Sequence, residues 1–394
     1  ENSVVNGPCY DLSLLKRPMI SIDYYSDLEK SLDGVVLQYS TDGGLSWDVI
    51  GDEFDGINWY NGIAILGRPG GSSNLRNLGW TDKQSGWKTA RFNLDAIDKL
   101  KRSKVRFRLA VGTNDGNASG TTHDGFAFDN VFVGEKPRNV LVENFVNNST
   151  LADLDNLFAA ENADREGSPD FRLLQYHLSF PDPDPLYDQN PEHQDARNFY
   201  YGNSKVPFAV MDGRLGKFTD GTFTGAPTEI TKSVIDRRAM MEPEFDILID
   251  TIATSMDSIN VSVSLRANID YTDPVIVQAT LVDDGMQEFR NVFNKGLFGR
   301  EGITVVDSWE ANGNPKTFTA KNAIDVPISR ADSLAVIAFV FDKKTRVILQ
   351  STYLRIKDKE ITIITDVDES AALKLYPNPS PGISYLSSNQ AGGG

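Results

Sequence analysis

Cysteine is almost missing from this chain. Cys9 is the single one among 394 residues, so no disulfide can form within the chain. Its modules must therefore stand on their hydrophobic cores. Low cysteine ordinarily points to a reducing compartment, but large exported domains need no disulfides, so this count does not decide. Basic charge is also short, with 39 Lys and Arg against 55 Asp and Glu and a formal net charge of −16. Such a surface repels phosphate backbones, which argues against nucleic acid, and offers no attraction to anionic lipid. No run approaches the ~20 apolar residues that span a bilayer. Glu1 is not preceded by Met, a basic stretch or an apolar stretch, so the chain reads as processed or as an internal fragment. Enzyme signatures are missing too: there is no Gly-x-Ser-x-Gly elbow, no His-Glu-x-x-His and no phosphate-cradling loop. The three histidines, His123, His177 and His193, lie in three different local settings. Paired carboxylates abound in so acidic a chain and single out no site. The expectation is a chain without catalysis and with no required cofactor.

What is present divides the length into several domains, at ~100–200 residues each. Residues 1–136 read as β. Met19–Tyr25, Gly34–Tyr39 and Val105–Leu109 are short alternating runs between turn clusters. Ser40-Thr41-Asp42-Gly43-Gly44 supplies the positive-φ residues of a tight hairpin. Even strand spacing without helices predicts a sandwich or jelly roll. Residues 137–241 change pattern. Strands are expected near Asn139–Phe145, Phe171–His177 and Phe208–Met211, and helices after Thr150, near His193–Tyr201 and near Thr228–Met241. That order is an α/β unit. Residues 242–356 return to about six strands, spaced as in an immunoglobulin-like sandwich. A charged linker, 357–371, precedes the tail, 372–394.

The tail carries the most specific string. Leu373-Lys374-Leu375-Tyr376-Pro377-Asn378-Pro379-Ser380-Pro381-Gly382 is an extended strand followed by a proline-fixed turn. It resembles the opening of the C-terminal sorting domain of Bacteroidota type IX secretion cargo, a class that includes gliding-motility and adhesin-like surface proteins. The resemblance implies export across the outer membrane to the cell surface or the medium. The secretion translocon and its sorting machinery would then be partners, with Leu373, Leu375, Tyr376, Pro377, Asn378, Pro379 and Gly382 as the signal. It covers about one strand and turn of a longer sorting domain.

Residues 138–356 resemble a Bacteroidota family of surface proteins in which a thioredoxin-like domain precedes a β-sandwich. The resemblance rests on Leu141–Phe145, Tyr176–Pro185, Tyr200–Pro207, Val210–Gly213 and Phe289–Phe293. Redox members carry Cys-x-x-Cys at the first helix, where the helix N-terminus favours a thiolate. Aligned on Phe145, this chain has Thr150 and Asp153 there, so the resemblance implies a lost redox site and a pair that now caps the helix. Val206-Pro207 falls at the family's cis-proline. If cis, Val206 faces the old groove and can pair with an extended peptide; the alternative is a retained structural turn.

In the first module, Tyr39–Trp47, Gly86-Trp87 and His123–Val131 resemble jelly-roll modules of secreted bacterial proteases and adhesins, akin to the MAM and lectin-like superfamily. That resemblance implies a module whose first strands precede this chain, and one structural calcium, with Asp33 and Asp129 as candidate ligands. The alternative is that both carboxylates serve turns. Trp59, Tyr60, Trp80 and Trp87 are either core or a platform for a surface glycan. The expected architecture is a mainly β, multidomain chain: jelly roll, thioredoxin-like α/β domain, immunoglobulin-like sandwich and sorting segment. The expected role is adhesion, binding or display. The rivals are an accessory region of a secreted protease and a peptide-binding assembly factor.

Overall fold

The computed structural model describes residues 2–356 except 115–119, 121, 151–169, 214–221, 255–257, 285–288, 290 and 324–332. Residues 1–356 form one compact unit and residues 357–394 a second. The tail motif Leu373–Gly382 and Asp153 therefore lie outside the described residues, as does the helix expected after Thr150.

The first module holds β1 (Asn2–Tyr10), β2 (Pro18–Asp27), β3 (Gly34–Ser40), β4 (Asp48–Val49), β5 (Lys88–Asn93), β6 (Val105–Gly112) and β7 (Gly125–Glu135). They make two antiparallel sheets, ordered β1-β6-β3-β4 and β5-β2-β7. In β6 the sequence alternates, so Val105, Phe107 and Leu109 enter the core while Arg106 and Arg108 point away. The β3–β4 hairpin turns as its residues require, with Gly43 and Gly44 at φ 82° and 99°. Asp42 closes that turn: its carboxylate accepts from the Leu45 and Ser46 amides and from the Ser40 and Ser46 hydroxyls. The Ser46 hydrogen bonds, with those of Ser40 and Leu45, hold the Asp42 carboxyl far below its usual range.

The α/β unit follows with β8 (Val140–Val146), β9 (Phe171–His177), α1 (Pro191–Tyr201), β10 (Phe208–Met211), β11 (Phe223–Gly225) and α2 (Lys232–Ala239). Strand order is β11-β10-β8-β9, with β8 and β9 parallel and the others antiparallel, as in a thioredoxin-like sheet. Helix α1 starts where Asn190 caps it, accepting from the His193 amide, with Pro191 and Glu192 in the first turn. It ends at Gly202, whose φ of 65° needs no Cβ.

The last module adds β12 (Phe245–Thr254), β13 (Ser258–Ala267), β14 (Val275–Asp283), β15 (Val292–Gly296), β16 (Ile303–Val305), β17 (Lys316–Ala323), β18 (Leu334–Asp342) and β19 (Ile348–Arg355). The sheet β12-β13-β17 packs on β14 and β18 as a sandwich layer. The expected boundary at 241/242 is not a boundary between sheets. Strand β15 pairs in parallel with β9, with the Gln175 amide donating to the Asn291 carbonyl at 3.1 Å. One nine-stranded sheet, β11-β10-β8-β9-β15-β14-β18-β19 with β16 on β14, thus runs through both modules. This explains why β14 and β18 are buried along their whole length, since both their faces are covered. In β18, Val336, Ala338 and Val340 face the sandwich core, while Ile337, Phe339 and Phe341 face the α/β side.

Candidate functional site

At Thr150, the first position of the redox pair, the chain makes a closed turn. Thr150 Oγ1 accepts from the Asn147 amide at 3.0 Å and donates to its carbonyl at 2.8 Å. The Asn147 side chain accepts from the Ser149 amide and hydroxyl and donates to the carbonyls of Leu178 and Asp182. Beside it, fully buried His177 meets Asp184 through Nδ1 at 2.8 Å. Burial pushes the Asp184 carboxyl up, but hydrogen bonds from His177, Leu186 and Asn148 outweigh it and hold it below its usual range. Thr150 thus serves the turn after β8. Thiol–disulfide exchange needs a thiolate, and Cys9 sits exposed on β1 of another module. In an insulin-reduction assay with dithiothreitol, the chain is expected to add nothing to the uncatalysed rate. A clear catalytic rate would sink that expectation.

The Val206–Pro207 peptide bond is cis. It precedes β10, whose Phe208 pairs with Phe145, so it stands at the same sheet end as Asn147–Thr150. Val206 is half-buried and packs on the core beside β8.

The two calcium candidates are not brought together in a carboxylate cluster. Asp33, ahead of β3, accepts from the Asn114 amide at 3.0 Å, and its carbonyl accepts from the Thr81 hydroxyl at 2.7 Å. Asp129 is exposed on β7 of the other sheet, pairs in register with Asp23 and accepts from the Asn130 amide at 2.8 Å. A calcium ion at either place would have to draw most of its ligands from carbonyl or amide oxygens. The aromatics separate cleanly. Trp59, Tyr60 and Trp80 are core, their rings 4.8–5.2 Å apart, whereas Trp87 is exposed beside Tyr25.

Among the described residues, the one group of three potential ligand side chains lies elsewhere, and a lysine already fills it. Lys136 Nζ lies 2.7 Å from Asp95, 2.6 Å from Asp170 and 3.4 Å from Asp236, with a side chain 0% exposed. Asp95 follows β5 in the first module, Asp170 immediately precedes β9 and Asp236 is on α2, so Lys136 joins two modules. Burial would lower the Lys136 ammonium, but the three carboxylates outweigh it and leave its pKa above the usual value. Around this joint, Arg17 binds Asp170 at 2.8 Å, and Arg91 reaches the Met240 carbonyl at 3.0 Å and Glu242 at 2.8 Å. Buried Arg138 ties the carbonyls of Leu349 and Glu242, at 2.7 and 2.9 Å, to Glu244 at 2.7 Å.

A cavity of about 580 Å³ lies between α1 and the α/β-facing side of β14 and β18. Neither Val206 nor Pro207 lines it. Its lining includes Arg197, whose Nε and Nη2 bind Glu143 at 2.6 and 2.7 Å. Burial would lower that guanidinium; the Glu143 charge more than offsets it and keeps Arg197 well above its ordinary value. Sequence reasoning missed this cavity, although a signal was present. Gln278 and Thr280 interrupt the apolar run of β14, and the buried residues of α1 are polar at helical spacing: Gln194, Arg197, Asn198 and Tyr201.

Comparison with known proteins bears on these modules unequally. Residues 21–134, within the first sandwich, match the family model of Reelin subrepeat B. HBP35 of Porphyromonas gingivalis is similar with a TM-score of 0.47 and 14% identity, over 61% of this chain and 82% of that one. A domain of the outer membrane lipoprotein Omp28 from the same organism is similar with a TM-score of 0.24 and 20% identity, over 29% and 88%. A β-glucosidase from Kluyveromyces marxianus is similar with a TM-score of 0.21 and 12% identity, over 90% and 45%. These likenesses concern the fold, and no activity passes from them to this chain. Among curated proteins none matches. Among the described residues no helix is long and apolar enough to cross a membrane.

Proposed function

We propose that this chain is part of an exported Bacteroidota surface protein, a type IX secretion cargo whose folded modules bind or display and do not catalyse. The observation that carries the reading is the closed Asn147–Thr150 turn, which ends at the first of the two positions where redox relatives hold thiols, in a sheet that continues into a sandwich. A thioredoxin-like unit built this way is a scaffold element. The Reelin subrepeat B match of the first module supports an extracellular contact role, and the Leu373–Gly382 string supports the secretion route. Structural calcium in the first module and a glycan or protein ligand belong to the same reading. The test is fractionation of cells expressing the full-length protein with and without the sorting region that starts near Leu373. The intact protein is expected at the surface or in the medium, and the deletion in the periplasm. Equal appearance of both outside the cell would overturn the route.

A further inference from the structure

Two residues that line the cavity over β14 and β18 carry buried hydroxyls with nothing to bond. Thr280 is 1% exposed, and its Oγ1 has no hydrogen-bond partner. Tyr200 OH is buried and equally without one. A threonine left this way costs stability relative to the valine that would fill the same volume. By contrast Gln278 has partners, donating to the Gly299 carbonyl and accepting from the Ala279 and Phe298 amides. The walls are rings: Tyr176, Phe293, Phe339 and Phe341 line the cavity, and Phe199 stands at its edge 74% exposed. Of the cations, Arg197 is committed to Glu143, and Arg300 to Glu192 at 3.0 Å and Glu301 at 3.5 Å. Lys343 is exposed and makes no ion pair among the described residues.

This pattern selects among occupants. The volume falls within the ~300–1,000 Å³ of ordinary small-molecule sites. A sugar carries a hydroxyl on nearly every carbon and would leave most of them unmatched against two free hydroxyls and many rings. Water alone would lie against aromatic walls that it solvates poorly.

We propose that this cavity binds a small, planar, apolar molecule with one hydrogen-bonding group at its inner end and one negative charge at its outer end. The rings contact its body, Thr280 and Tyr200 bond the inner group, and Lys343 attracts the charge. The proposal stands apart from the export reading, because the cavity is the same wherever the protein works.

Two fluorescent probes of nearly one body test it on the full chain: anilinonaphthalene sulfonate, and phenylnaphthylamine, which lacks the sulfonate. Both are expected to bind saturably at one site per chain, the sulfonate roughly threefold tighter at low salt. Lys343→Glu, a surface change, should erase that preference and leave the neutral probe unaffected. Ala196→Trp, which fills the cavity from α1, should abolish both while melting stays that of a folded chain. Absence of saturable binding to the unaltered protein overturns the proposal. So does binding that Ala196→Trp leaves intact, or equal affinity for the two probes.

Discussion

Lys136→Met is expected to destabilise the chain by about 3–5 kcal/mol, the scale on which removing one partner strands buried charge. The side chain carries the ammonium that Asp95, Asp170 and Asp236 share, and methionine keeps the stem while deleting the charge. Compensation differs among the three acids. Asp170 keeps Arg17, Asp236 keeps Lys232 at 2.9 Å, and half-exposed Asp95 can turn to water. The pH dependence follows from the directions of the shifts. Burial raises the Asp170 carboxyl, but Lys136 and Arg17 outweigh it, so its folded pKa is lowered. Its stabilisation is present above about pH 3.9 and lost as pH falls through the lower folded value. Lys136 is raised, so its share is complete below about pH 10.4 and lost as pH rises through the folded value. Asp236 works the other way: burial lifts its carboxyl despite Lys136 and Lys232, so its ionisation above the usual carboxylate range subtracts stability. Urea unfolding of both proteins should show the full gap between about pH 6 and 9, narrowing at either extreme. Equal midpoints at neutral pH would mean that Lys136 does not hold this joint.

The contrast between Lys136 and β6 shows which parts of the fold were legible. In β6, alternation is a local property, and Val105, Phe107 and Leu109 went inward as their period of two requires. The thioredoxin-like order was legible for the same reason, since strand Phe171–His177 was bounded by turn residues that end it. Lys136 sits between β7 and β8, where a charge ordinarily faces water, and only tertiary packing of three distant aspartates buries it. The fusion of two modules into one sheet was invisible too. It depends on β15 meeting β9, and Val292-Phe293-Asn294 says nothing local about a parallel neighbour more than a hundred residues away. The unbroken apolar run of β18 did carry the message that both faces are covered. Reading it as a strand of a free-standing sandwich, which buries one face, passed over it. The cavity was hidden for a related reason: α1 turns polar residues inward, so its buried face has no apolar stripe to follow.

Glu143→Leu is expected to cost a similar ~3–5 kcal/mol, and the double variant Glu143→Leu, Arg197→Leu to recover much of it. The carboxylate is wholly buried on β8, held by Arg197 through two bonds and by the Tyr201 hydroxyl, which donates to Oε2 at 2.6 Å. Without it the guanidinium keeps one hydrogen bond, from Nη2 to the Tyr201 hydroxyl at 2.9 Å, and its aromatic neighbours, lying 4.9 Å from the ring centres of Tyr200, Tyr201 and Phe341 and 5.3 Å from Phe339. Such contacts return about 0.5–2 kcal/mol, well short of a lost bidentate pair. Arg197→Leu alone leaves the opposite charge stranded. Glu143→Leu strands a guanidinium that stays charged at any pH a protein survives. The double variant removes both charges and fills the space with hydrocarbon against rings that are already apolar. A double-mutant cycle by urea unfolding should give a coupling of more than about 2 kcal/mol. If the single losses simply add in the double variant, the pair is not acting as a pair. The polar inward face of α1 would then need another cause.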